Sequence, residues 1–202
     1  MGTLRANFYI LAPTQEMGEF VEKTLYDIPE ESKKDFYKSK IKRRARMKIH
    51  NEDIKFIKAD EDLKTLITNN WKPIIGNHMH INDGISIVGM LKEEPIAVIS
   101  VYWTHWIKPL NEEMDGYIDI IEVKDDYRRN GIAKYLVEKA EDECRVRNLK
   151  QIRSWSSDNK IEALQMWKKF GYGMCPARII SGPNQDILVN GFYVVKTLTQ
   201  ET

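Results

Sequence analysis

The sequence has few cysteines, little net charge and no long apolar stretch, and each shortage excludes a class of protein. Only Cys144 and Cys175 occur in 202 residues, and no C-x-x-C pattern is present. Neither a disulfide framework nor a cysteine-bound zinc site is therefore expected. A formal net charge of +1 gives no overall attraction to nucleic acid or membrane. Because the sequence has no signal-like start and no apolar run of roughly 20 residues, we expect a cytoplasmic protein without a membrane partner.

Two common phosphate-binding patterns are also missing. Neither G-x-x-x-x-G-K-[ST] nor G-x-G-x-x-G occurs, which excludes a P-loop and a dinucleotide fingerprint. His78 and His80 lie two residues apart in a loop-like stretch, 71–83, but no H-E-x-x-H or Cys/His cluster accompanies them. We therefore expect no metal site. Histidines in a loop beside a substrate opening are the other interpretation.

Residues 118–133 have the pattern of a strand, a turn and the start of a helix. β-branched side chains predict a largely buried strand ending at Val123, although Asp119 and Glu122 interrupt its apolar pattern. After a polar turn, the segment that begins at Gly131 has apolar residues at helical spacing, which are Ala133, Leu136, Val137, Ala140 and Cys144.

The turn of this unit suits a phosphate group. The N–H groups of a helix's first turn and the positive end of its dipole both point toward an anion. Gly131 allows a ligand to approach the backbone, and the guanidinium groups of Arg128 and Arg129 match phosphate oxygens. Two surface arginines in a solvated turn are the alternative, because so short a pattern recurs by chance.

The same stretch resembles motif A of the GNAT superfamily of N-acetyltransferases, in which [QR]-x-x-G-x-[GA] follows a strand and opens a helix. The matching residues are Arg128, Arg129, Asn130, Gly131, Ile132 and Ala133. The preceding Ile121-Glu122-Val123 is similar to the hydrophobic-x-Val that ends the superfamily's fourth strand. The resemblance implies that the turn binds the pyrophosphate of acetyl-coenzyme A, the co-substrate. It also implies that the backbone from Ile121 to Val123 pairs with the pantetheine, and that an N–H near Val123 polarises the thioester.

A second signature follows at residues 156–172. The segment S-S-D-N-K-I-E-A-L-Q-M-W-K-K-F-G-Y resembles the superfamily's N-x-x-A-x-x-x-Y-x-x-x-G-F. Trp167 stands at the usual tyrosine, often assigned as the acid that protonates the coenzyme A sulfur, and an indole cannot be that acid near neutral pH. We expect Trp167 to be a core residue, while Tyr172, Tyr127 or water donates the proton. Asn159 lies one residue before the usual asparagine and is a candidate cofactor contact.

The resemblance covers about residues 53–198 and implies a mixed α/β, GNAT-like acyl-CoA N-acyltransferase fold. Its sheet has about seven mostly antiparallel strands flanked by helices, with parallel strands four and five splayed around the pantetheine. The predicted strands are 54–57, 85–91, 96–103, 118–123, 149–155, 179–180 and 191–198, and the predicted helices are 59–67, 132–147 and 159–170. The 13-residue connection at 104–116 is expected to border the acceptor site.

The first quarter of the chain differs from the rest. Residues 1–50 are predicted to form an N-terminal helical, basic extension, and 51–202 the N-acetyltransferase domain. The part from Lys33 to Lys48 carries nine Lys or Arg against one Asp. A solvated helix face is the favoured interpretation, and contact with nucleic acid or an acidic partner is the alternative. A strand at 8–11 is the alternative opening strand of the domain.

The resemblance implies direct transfer of acetyl from acetyl-CoA to a primary amine of an unidentified small molecule or protein. Asp119 is the candidate base, because some small-amine acetyltransferases of the superfamily carry glutamate four residues before the valine equivalent to Val123. Burial is expected to raise the pKa of Asp119; a carboxylate merely hydrogen-bonded within the sheet or to a basic neighbour is the alternative. Glu122, expected on the opposite face of the strand, is the second candidate. A non-catalytic acyl-CoA-binding or regulatory module and a nucleic-acid-associated protein are alternatives, and a homodimer remains open.

Overall fold

The structure of the protein, a computed structural model, describes residues 51–106, 112–181 and 187–198. The predicted N-terminal extension, with its basic segment 33–48, lies outside these residues, as does 107–111 of the predicted connection. Within the described ranges no helix is long and apolar enough to cross a membrane.

The described chain contains seven strands, four α-helices and two short 3-10 helices, Asn51–Asp53 and Asp125–Tyr127. The strands are β1 Ile54–Lys58, β2 Gly84–Leu91, β3 Glu94–His105, β4 Met114–Val123, β5 Gln151–Ser157, β6 Gly173–Ser181 and β7 Ile187–Thr197. The helices are α1 Glu61–Asn70, α2 Pro73–Asn77, α3 Ile132–Val146 and α4 Ile161–Lys169. One sheet has the order β1-β2-β3-β4-β5-β7-β6. The first four strands pair antiparallel, and β4 and β5 pair in parallel. The predicted mixed, seven-stranded fold class is confirmed.

Local sequence explains where the first two helices begin. The side chain of Asp60 accepts a hydrogen bond from the Leu63 N–H at 2.9 Å, and so caps α1 as predicted. Helix α2 interrupts the stretch 71–83, which was predicted to be a loop. That prediction was wrong there because Pro73 stands at the first helical position, where its fixed φ favours a helix and its missing N–H costs nothing.

The described residues form two compact units, one of 51–154 with 195–198 and the other of Trp155–Val194. In the first, one side of the sheet packs on α1 and α2 through Ile67, Ile75, Met79, Val88, Met90 and Val98, and Ile120 of β4 joins this cluster. Helix α3 contacts β3 and β4. Gly116 permits that close contact, because a Cβ there would lie 2.6 Å from the Cys144 Sγ.

A β-bulge interrupts the pairing of β3 with β4. Val101 pairs with Ile118 and Ser100 with Ile120, so Asp119 is an extra residue on β4 without a partner on β3. The extra residue shifts the in-and-out alternation of β4 by one position. As a result, Ile118 and Ile120 face opposite sides of the sheet, although they are two residues apart.

In the second unit, Trp167 of α4 is a core residue, as predicted. Its side chain is 2% exposed, its Nε1 donates to the Ser156 Oγ at 3.1 Å, and its ring centroid lies 4.8 Å from that of Tyr172. The indole therefore fills the interior and satisfies its polar atom there.

We expect Trp167→Phe to destabilise the protein by about 1–2 kcal/mol, because it removes the hydrogen bond to Ser156 and leaves a small void. Urea unfolding at pH 7 measures this change. Trp155→Phe is a useful comparison, since the Trp155 Nε1 is buried without a hydrogen-bond partner in the described structure. Removing that N–H should cost less. Equal losses in the two variants would contradict the role assigned to the Ser156 contact.

Candidate active site

The turn between β4 and α3 presents backbone N–H groups. Gly131 is the N-cap of α3 and has a left-handed conformation with φ 81° and ψ −3°, which glycine adopts without strain. No side chain caps this end of α3, and its first turn contains no acidic residue. The first N–H groups of a helix have no acceptor within the helix, so this end suits a phosphate group. The predicted residues Ile132 and Ala133 lie in that first turn.

The predicted phosphate ligand Arg128 folds back onto the end of β4. Its Nε donates to the Val123 carbonyl at 2.9 Å, its Nη2 lies 3.1 Å from the Glu122 Oε1, and its Nη1 lies 2.9 Å from the Asp125 Oδ1. In this conformation the guanidinium stabilises the turn. Its contact with phosphate, like that of Arg129, stays a prediction.

Asn130 and its two neighbours fix the conformation of the same turn. Asn130 Nδ2 donates to the Tyr127 carbonyl at 3.0 Å, and Arg129 has a positive φ of 68°. Such a φ is uncommon for a residue with a side chain. Two left-handed residues therefore flank Asn130 and direct the chain into α3.

Glu122, the second carboxylate candidate, lies between two cations. Its Oε1 is 3.3 Å from Lys72 Nζ and 3.1 Å from Arg128 Nη2. The expectation that Glu122 and Asp119 lie on opposite faces was wrong. Both contact the segment that contains α2, because Lys72 precedes the helix and His78, the partner of Asp119, ends it. The bulge at Asp119 is the physical reason, since it shifts the alternation of β4 between the two carboxylates.

Asp119 is the centre of a cluster with two histidines. Its Oδ2 lies 2.8 Å from His78 Nδ1 and 3.0 Å from His80 Nε2. The other ring nitrogen of His80, Nδ1, lies 3.0 Å from the Asp83 Oδ1. The sequence pointed to Asp119 and separately to His78 and His80, but not to their contact, which joins segments about 40 residues apart. No group of His, Cys, Asp or Glu positioned to hold a metal ion is found in the described part of the chain.

The histidines reverse the pKa shift expected for Asp119. Burial acts to raise the pKa of its carboxyl group, but hydrogen bonds and charges from His80 and His78 outweigh burial and hold the pKa below its ordinary value. The expectation of a raised pKa was therefore wrong. Burial acts to lower the pKa of His80, but Asp119 and Asp83 outweigh it and raise that pKa. The pair is therefore stabilised as an ion pair.

These two shifts predict how stability depends on pH. The raised His80 pKa adds stability that is complete below about pH 6.5 and is lost as pH rises through the folded-state pKa, while the lowered Asp119 pKa adds stability above about pH 3.9. The unfolding free energy of wild type should fall as pH rises from 6 to 9, and His80→Gln should remove part of that fall. Chemical unfolding across this pH range measures both. Parallel curves for wild type and His80→Gln would refute the ion pair.

Asn159 and Tyr172 both lie in the unit Trp155–Val194. Asn159 Oδ1 accepts a hydrogen bond from the Ser157 Oγ at 2.7 Å, two residues before the start of α4. Tyr172 is 4% exposed and packs on Trp167. Their predicted roles, in cofactor binding and as the acid, stay predictions.

Comparison with solved structures finds known proteins of similar fold. An E. coli ribosomal-protein-S18-alanine N-acetyltransferase is 11% identical with a TM-score of 0.56, covering 74% of this chain and 96% of that chain. Arabidopsis thaliana NAA60 in complex with acetyl-CoA is 13% identical, also with a TM-score of 0.56, covering 71% and 99%. At these identities the likeness concerns the fold.

Sequence comparison gives a relative and a family. Uncharacterized protein YxbD of Bacillus subtilis (strain 168) is 41% identical over 54 residues, which are 27% of this chain and 34% of that protein. The match thus spans about a third of the relative's length. Residues 45–172, which include the β4 strand, the Gly131 turn and the Asp119 cluster, match the Acetyltransferase (GNAT) family. The chain therefore belongs to the GNAT family of acetyltransferases.

Proposed function

We propose that the protein transfers an acetyl group from acetyl-CoA to the primary amine of a small molecule or a protein. The observation that carries the proposal is the uncapped N-terminus of α3, opened by left-handed Gly131 at the end of the turn that follows β4. This turn binds the pyrophosphate of acetyl-CoA through backbone N–H groups. An N–H of the strand near Val123 then polarises the thioester carbonyl.

The amine must lose a proton before it attacks the thioester, and the Asp119 cluster supports that step. Asp119 lies on β4, the strand proposed to contact the thioester, four residues before Val123. Titratable side chains that differ in pKa often mark a site of acid–base chemistry. Glu122 is less suited to the role, because two cations already contact its Oε1.

The acetyl group is transferred directly to the amine. A two-step reaction would need a thiol to carry the acetyl group, but Cys144 is buried, and burial raises the pKa of its thiol to about 12. A thiol of that pKa is protonated at neutral pH and is a poor nucleophile. Direct transfer predicts that Cys175→Ala, which removes the exposed thiol of β6, keeps wild-type turnover.

The experiment combines binding with turnover. Calorimetry should detect acetyl-CoA binding, and release of coenzyme A should be followed with three amine probes. These are spermidine, a peptide with a free N-terminal amine and an N-terminally blocked peptide with one lysine. Mass spectrometry should find acetyl on at least one of them. Binding without turnover would favour a non-catalytic acyl-CoA-binding module. Absence of acetyl-CoA binding would refute both the acetyltransferase and the binding module.

A further inference from the structure

We propose that His78 takes the proton from the acceptor amine through its Nε2, and that Asp119 acts by orienting His78. The inference rests on the proposed function, because it assigns the base of the same transfer. It follows from the different contacts that the two histidines make with Asp119.

His80 is bonded at both ring nitrogens. Its Nε2 lies 3.0 Å from the Asp119 Oδ2 and its Nδ1 lies 3.0 Å from the Asp83 Oδ1. Ionised carboxylates only accept hydrogen bonds, so both nitrogens carry hydrogen and the ring is an imidazolium. The raised pKa of His80 agrees with this state. Such a ring has no lone pair with which to accept a proton.

His78 has a different arrangement. Its Nδ1 lies 2.8 Å from the Asp119 Oδ2 and therefore donates to it, which leaves the lone pair of the neutral ring on Nε2. Its side chain is 42% exposed, against 21% for His80 and 23% for Asp119. An acceptor can therefore approach His78 more readily than the other two.

Asp119 is less suited to take the proton itself. One oxygen, Oδ2, already accepts from both histidines, and those contacts hold the pKa of the carboxyl below its ordinary value. A carboxylate with a lowered pKa is a weaker base. Asp119 is therefore a positioning residue that fixes the tautomer of His78, and imidazole is the side chain most often used to move protons in such reactions.

Other titratable and charged side chains lie on the segments next to this cluster. Lys64 of α1 donates to the Met79 carbonyl at 2.9 Å, and Lys72 precedes α2 and contacts Glu122. On β3, the Tyr102 ring lies 4.9 Å from that of His80 and 5.0 Å from that of Tyr117 on β4. Of these groups and Asp83, it is Asp83 and Tyr102 that contact His80, while Lys64 and Lys72 contact neighbouring groups.

The proposed step balances as follows. The ammonium form of the acceptor gives one proton to His78 Nε2, and the amine nitrogen bonds to the acetyl carbonyl carbon while the carbon–sulfur bond breaks. The second proton lost by nitrogen goes, through solvent, to the departing sulfur. His78 then releases its proton to solvent. Acetyl-CoA and an ammonium thus give an N-acetyl amide, coenzyme A thiol and one proton.

The first test needs no acceptor. Nitrogen-15 spectra of labelled protein report which ring nitrogen of each histidine carries hydrogen, with His78→Gln and His80→Gln used for assignment. In its neutral form, the Nδ1–H tautomer is expected for His78. At pH 6, protonation of both nitrogens is expected for His80. An Nε2–H tautomer at His78, or a neutral His80 at pH 6, would overturn the proposal.

The second test uses whichever of the three amine probes is acetylated fastest. His78→Gln should lower kcat roughly 10²-fold or more at pH 7 with acetyl-CoA affinity unchanged, and the deficit should narrow toward pH 10 as the free amine becomes abundant. Imidazole added to His78→Ala should restore part of the rate. Asp62→Asn, which removes an exposed carboxylate in the first turn of α1 outside the cluster, should match wild type.

A His78→Gln pH profile parallel to that of wild type would overturn the assignment of the base. That result differs from failure of the proposed function, in which wild type itself does not bind acetyl-CoA. If wild type binds acetyl-CoA but acetylates none of the probes, the nitrogen-15 measurement of the His78 tautomer decides whether the proposal stands.

Discussion

Gly131→Asp should weaken acetyl-CoA binding about 10³-fold while the fold stays intact or gains stability. Aspartate is a favoured N-cap residue, and its charge interacts well with the N-terminus of α3. It tolerates left-handed backbone better than most residues. The same carboxylate would occupy the N–H groups meant for phosphate and would repel it. Each charged hydrogen bond lost costs about 1.5–3 kcal/mol, so losing two accounts for the expected change.

Two matched variants separate charge from backbone strain in this experiment. Gly131→Asn has nearly the shape of aspartate without its charge and should weaken binding much less. Gly131→Ala tests strain alone, and Arg128→Ala tests the guanidinium, which in this structure contacts Val123, Glu122 and Asp125. Calorimetric titration gives the affinities and thermal unfolding gives the stabilities. Unchanged affinity in Gly131→Asp would remove the turn as the pyrophosphate site.

Asp119→Asn should lower kcat by roughly 10²-fold or more at pH 7 and leave acetyl-CoA affinity nearly unchanged. Asparagine keeps the shape of the side chain but has no negative charge, so its oxygen holds both histidines less strongly than the carboxylate does. The loss should narrow above pH 9, where more of the acceptor amine is already neutral. The pKa of His80 should also fall, because one of the two carboxylates that raise it is gone.

Kinetics from pH 6 to 10 and histidine NMR titrations together measure this prediction. Asp62→Asn in the first turn of α1 is the matched control, since it removes a carboxylate outside the cluster. A purely structural Asp119 would give lower stability with a kinetic deficit that does not vary with pH. That outcome would contradict the proposed role of Asp119 in orienting His78, and would leave His78 alone, Glu122 or a water chain to take the proton.

Most of the fold could be predicted because its signals are local. The alternation in β2 and β3, the Asp60 cap of α1 and the apolar spacing of α3 depend on neighbouring residues. Strand β6 was predicted only at 179–180, because it is mostly exposed or half-buried and has no strong apolar pattern. Strand β4 begins at Met114. The strand was predicted to begin later, at residue 118, because Asp115 and Gly116 interrupt the apolar run. Asp115 is accommodated there through Gln151 and Arg153, which lie far along the chain.

The candidate site was predictable in part, for the same reason. A short motif encodes the Gly131 turn, and its conformation follows from glycine itself. The Asp119 cluster depends on contacts between residues 39 and 41 positions apart. Its pKa shifts have the opposite sign from burial alone, since the histidines that cause them come from a segment that the sequence does not link to β4. No residue pattern predicted the bulge, which allows both Asp119 and Glu122 to contact the segment that contains α2.

The bulge also makes the chemistry of β4 separable from its architecture. Because Asp119 has no partner on β3, deleting it would join Ile118 directly to Ile120 and preserve the pairs Val101–Ile118 and Ser100–Ile120. Every other side chain of the strand would keep its face. The residue at this position can therefore be removed or exchanged without changing the register of the sheet. A single codon then separates a chain with this carboxylate from one that retains the fold and the Gly131 turn without it.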